Sequence, residues 1–125
     1  MLNQLFLHQI IGMIYPIVAY GASVLRKVAS PIQPDYPKLD ALIESMWETM
    51  YASNGVGLAA PQVNLSIRLF VIDSVQIMEH LEEDEKDAYP GDEGMKEVFI
   101  NAEVLQLEGE EWPYNEGCLS IPKLR

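Results

Sequence analysis

Residues Gly55-Val56-Gly57-Leu58-Ala59-Ala60-Pro61-Gln62 constrain the fold more than any other stretch of this chain. Two glycines at this spacing permit positive φ and let a ligand or a neighbouring strand approach the backbone closely. Pro61 stiffens the exit and removes one N–H donor. Gln62 ends the run with an amide that both donates and accepts, so it can hold a water or polarise a carbonyl. Just before the run, Leu39, Leu42, Ile43, Met46, Met50 and Tyr51 recur at helical spacing, which predicts an amphipathic helix over 38–52. Asp35 or Asp40 is the expected cap at its start, and Asn54-Gly55 the expected stop. Taken alone, a Gly-x-Gly is an ordinary loop after a helix. This one lacks the strand-before, helix-after setting of a dinucleotide fingerprint and the Lys-Ser/Thr of a phosphate loop.

Around that centre the pattern is strand-rich. Ile14–Val18 reads as a short strand-like arm and Tyr20-Gly21-Ala22-Ser23 as a turn. The β-branched run Ile67–Asp73 predicts a buried strand. Val98–Leu107 predicts another, with an irregularity at Asn101, and Glu108-Gly109-Glu110 is a hairpin-like turn within 107–114. One helix followed by several antiparallel strands implies an α+β fold, with antiparallel sheets around the helix. At 125 residues the chain is one domain or a large piece of one. Residues 1–12 are read as an N-terminal extension and 13–125 as the domain.

The formal net charge of −11 argues against nucleic-acid binding through a general basic field. Eight of the nineteen acidic residues lie between Glu79 and Glu93, with Lys86 the one base among them, so this stretch reads as a solvated loop turning at Pro90-Gly91. There is no uninterrupted apolar run of membrane-spanning length. The apolar residues near the start are broken by Gln4, His8, Gln9 and Pro16 and follow no Lys or Arg, unlike a secretion signal. A single cysteine excludes an internal disulfide framework and fits a reducing compartment, hence the cytoplasm.

That cysteine lies in a second unusual run, Glu116-Gly117-Cys118-Leu119-Ser120. A lone cysteine in such a domain is most often a small buried apolar side chain. A nucleophilic one needs a base, and the chain offers only His8, in the extension, and His80, in the acidic stretch. A metal ligand fits better, because thiolate is a soft, strong ligand for iron or zinc.

Together, and in this order, the two runs resemble the first two signature motifs of peptide deformylases. The resemblance spans about residues 14–125 and includes Tyr20, Gly21 and Val24-Leu25-Arg26-Lys27. It implies metal-dependent removal of the formyl group from the N-terminal formylmethionine of nascent proteins emerging from ribosomes. Cys118 is then the thiolate ligand of the metal, which is Fe(II) in the cell, with zinc, nickel or cobalt as replacements. Gln62 and the backbone N–H of Leu119 become the oxyanion donors. Gly55, Val56, Gly57 and Gly117 face an N-formylmethionyl peptide bound as an added strand.

The family's third signature, His-Glu-x-x-His, is absent from these 125 residues. By the resemblance it supplies both remaining metal ligands and the proton-shuttling glutamate, and Glu116 is not assigned that role. The expectation is that this chain, lacking the helix that carries that signature, has little or no turnover by itself and exposes apolar surface prone to self-association. The alternative is a non-catalytic module that binds peptides or associates with itself.

Overall fold

The computed structural model describes residues 13–113 and 117–121. Its centre is helix α1, Leu39–Ala52, which buries Leu42, Met46 and Met50. The apolar periodicity built it, but neither predicted aspartate caps its start. Lys38 occupies the cap position in the left-handed region with no side-chain cap, and Asp40 sits in the first turn instead. The end is where the sequence placed it. Asn54 takes φ 56° and donates to Tyr51, while the N–H of Gly55 reaches back to Met50 O at 2.9 Å. This doubly bonded stop satisfies carbonyls that the helix would otherwise leave open.

Three strands follow: β1 (Gly57–Ala59), β2 (Leu69–Asp73) and β3 (Lys96–Ile100). They form one antiparallel sheet in the order β1-β2-β3, with Leu58 opposite Val71 and Phe70 opposite Phe99. Leu69, Val71 and Asp73 of β2 are buried, and the intervening Phe70 stacks on Phe99 at 4.7 Å on the other face. Met46, Met50, Leu58, Ala60, Val63, Leu69 and Val71 make a continuous core, and α1 packs against β1 and β2. Truncating a fully buried methionine such as Met46 or Met50 costs about 2–5 kcal/mol in cores of this kind.

Several local expectations are corrected. Ile14–Val18 forms no strand; Tyr15 donates instead to Thr49 Oγ1 and Val18 to Gln62 O. The predicted strand over 67–73 begins at Leu69, because Ile67 makes a parallel bridge with Ser30. The strand expected over 98–107 runs instead from Lys96 to Ile100. Asn101 ends it: its φ is 54°, and its side-chain amide bonds both Ile32 N and Ile32 O. Gly109 bends at φ 100° without flanking strands. The acidic stretch is not a plain loop, since it carries helices α2 (Val75–His80) and α3 (Glu83–Lys86) before the turn at Pro90-Gly91. Residues 1–12, Tyr114 and Glu116 lie outside the described residues.

Candidate active site

The run Gly55–Gln62 is used in three pieces: the helix stop, strand β1, and a 3₁₀ turn at Ala60–Val63 with Pro61 near its start. Neither Gly55 nor Gly57 has positive φ, so the left-handed conformation that glycine permits is not used at either position. Close approach is the reason the structure supports. A Cβ on Gly55 would lie 2.7 Å from Leu119 Cδ1, and one on Gly57 would lie 3.4 Å from Val71 O. The first of these contacts already joins the two sequence motifs, because Leu119 packs on the core beside the end of α1.

Gln62 joins them again. The 3₁₀ turn aims its side chain back, and Oε1 accepts the Ala59 N–H at 2.9 Å. With the carbonyl end so fixed, Nε2 faces the second motif. It lies 3.2 Å from Ser120 Oγ and 3.9 Å from Cys118 Sγ. The second motif is held in place by its own short turn, in which Ile121 N–H donates to Cys118 O at 3.0 Å. Tyr20 N–H also donates to Ser120 O at 2.6 Å. Ser120 is buried, whereas the Cys118 thiol is exposed. Ser120 belongs to the second motif, but the sequence alone assigns it no role. A small hydroxyl beside the cysteine was the available signal, and its partner 58 positions away was not visible locally.

The remaining predicted site residues fall on both sides of this junction. Val56 is exposed, and its carbonyl accepts the Asp73 N–H at 2.8 Å. Gly57 opens β1, the end strand of the sheet. Gly117 is exposed with open space where a Cβ would stand. His80 lies at the end of α2, exposed, with Nδ1 2.5 Å from Gln76 O of its own helix. Among the described residues no three His, Cys, Asp or Glu side chains gather as a metal cluster. What the site offers is one accessible soft sulfur ligand beside an oriented amide donor and a hydroxyl.

The family model for polypeptide deformylases matches residues 14–125. A peptide deformylase of Flavobacterium johnsoniae is 55% identical over 118 residues, covering 90% of this chain and 57% of that protein. The chain thus spans little more than half the length of this curated relative. The crystal structure of a peptide deformylase from Thermotoga maritima superimposes with a TM-score of 0.66 at 39% identity, covering 89% of this chain and 63% of that one. A class I type b peptide deformylase from Acinetobacter baumannii, crystallised with Met-Ala-Ser bound, gives a TM-score of 0.68 at 28% identity, covering 90% of this chain and 67% of that one.

Proposed function

The chain belongs to the peptide deformylase family, and we propose that it carries the thiolate and oxyanion half of an amide hydrolase acting on N-formylmethionyl chains. The observation that supports this reading is the Gln62 amide turned toward Cys118 and Ser120 across more than fifty residues of sequence. With Oε1 anchored on the Ala59 N–H, the amide turns its N–H side toward Cys118 and Ser120, which suits a developing oxyanion. The Leu119 N–H is the second donor in this reading. The peptide lies along Gly55, Val56 and Gly57, pairing with the outer edge of β1, with Gly117 at the other wall. Met-Ala-Ser, bound by the Acinetobacter enzyme, is the natural probe of that groove.

Cys118 suits Fe(II), zinc, nickel or cobalt as one ligand, since all accept a soft thiolate. The described residues supply this sulfur and no three-residue cluster, so they do not by themselves complete a centre. The place of action is the cytoplasm, on chains leaving the ribosome. No helix among the described residues is long and apolar enough to cross a membrane. The net charge of −11 disfavours direct contact with nucleic acid.

The test is to extend the polypeptide beyond Arg125 with a segment carrying the family's His-Glu-x-x-His signature and assay N-formylmethionyl peptides anaerobically. Turnover is expected, abolished by Cys118→Ala and lowered about 10²–10³-fold by Gln62→Ala. The unextended polypeptide is expected to show no turnover above its own Cys118→Ala control. A folded extended chain that does not turn over, or one indifferent to both substitutions, would sink the reading.

A further inference from the structure

The acidic stretch has no part in the function proposed above, yet it is latched to the site. It leaves the sheet at Ser74 and returns at Met95, and hydrogen bonds between these two residues close its base. Ser74 N–H donates to Met95 O and Met95 N–H to Ser74 Oγ, each at 2.8 Å. Beyond that base and the adjoining Asp73, its hydrogen bonds among the described residues stay within the stretch, with one exception. Gln76 Nε2 donates to Gly55 O at 3.1 Å and to Asp73 O at 2.9 Å. Both partners are carbonyls, so the NH₂ end of the amide must face them, and both its hydrogens are used.

The consequence falls on the first motif. Residue Gly55 is gripped on both sides, its N–H by Met50 O of α1 and its carbonyl by Gln76 of α2. The next carbonyl, that of Val56, is taken by the Asp73 N–H at 2.8 Å. Asp73 is itself held, with Oδ1 accepting Val75 N–H and Oδ2 accepting Tyr51 O–H. Two successive carbonyls are thus turned inward while the Val56 side chain stands exposed. We propose that Gln76 is a positioning residue for the substrate-facing turn Gly55–Val56, and that through it the acidic segment sets the shape of the peptide groove. This rests on the reading of Gly55 and Val56 as substrate-binding.

The experiment compares wild type with Gln76→Met, which keeps length and loses the donor, and with Gln76→Ala. The carbonyl-carbon NMR signal of Gly55 is expected to move in both variants. Exchange of the Asp73 amide is expected to quicken about three- to tenfold, as for loss of one net hydrogen bond, while the Asn101 amide at the other end of the sheet is unchanged. In a titration with Met-Ala-Ser, both variants are expected to bind about three- to tenfold more weakly. An unmoved Gly55 signal overturns the proposal whatever the peptide does. Variants that bind the peptide as wild type does overturn the positioning role alone. A wild type that ignores the peptide overturns the substrate reading, and the proposal with it.

Discussion

Tyr51 donates to Asp73 Oδ2 at 2.5 Å from the last turn of α1, stacked on Trp47 with the Lys96 ammonium 5.8 Å from its ring centre. Its pKa is raised from 10.0 to about 12, first by desolvation, then by the hydrogen bond to Asp73 and by that carboxylate's charge. A raised pKa on a phenol means that the fold favours the protonated, neutral form. The associated stability is complete below pH 10.0 and is lost as pH climbs through about 12. Tyr51→Phe is expected to cost about 1–3 kcal/mol near neutrality, because a buried carboxylate loses a donor. Its unfolding free energy should then fall less than that of wild type across the alkaline window. Urea melts at a series of pH values check this, and parallel curves for the two proteins would disprove the assigned ionisation. Gly55→Ala tests the other single-residue feature. The new Cβ meets the far end of the Leu119 side chain, which can swing away, so stability should change by less than about 1 kcal/mol. Leu119 neighbours Cys118, so the rate of thiol alkylation at Cys118 is expected to change. An unaltered rate would show that the glycine does not set the second motif's position.

Among the elements, those legible from sequence were those whose cause is local. Helix α1 follows from the spacing of Leu39 to Tyr51, and its stop from Asn54-Gly55. Strand β2 follows from its β-branched run. The misses have distant causes. The irregularity at Asn101 was legible, but that Asn101 ends β3 by bonding Ile32, 69 positions away, was not. The density of acids between Glu79 and Glu93 hid helix α2, which starts at Val75, ahead of the charges, and is too short to show a clear period. In the site, the residue types and their order were readable, but the Gln62–Ser120 bond and the role of Gly55 as a space for Leu119 were not. The same contrast predicts how two glycines differ. Gly94 has φ 83° and a Cβ there would lie 2.7 Å from Val75 N and Cα. Gly109 has φ 100° but nothing within 4 Å of such a Cβ. Gly94→Ala is therefore expected to destabilise by at least about 1–3 kcal/mol and to speed exchange of the Met95 amide. Gly109→Ala carries only the left-handed penalty of about 1–2 kcal/mol and leaves Met95 alone. Denaturant melts with site-resolved exchange separate the two, and equal Met95 exchange would deny that the base of the acidic stretch is closed by packing.

At the scale of the whole molecule the issue is surface. Among the described residues, exposed apolar side chains cluster in sequence: Val104, Leu105, Leu107 and Trp112 are 78%, 91%, 88% and 67% exposed. An exposed apolar run on this scale marks a surface that associates or is covered by further chain. The 125-residue polypeptide is expected to self-associate, with a sedimentation-derived mass above 14.1 kDa that rises with concentration. Leu105→Glu with Leu107→Glu should weaken that association without lowering the stability of the sheet, because both side chains point away from the core. The polypeptide extended with the His-Glu-x-x-His segment separates the two ways of covering the surface. If that segment covers the run, the extended chain sediments as a monomer while the shorter one does not. If both self-associate alike, the run is an interface between copies in its own right. A short chain that stays a monomer at every concentration would mean that the exposed run is tolerated by water and directs no assembly.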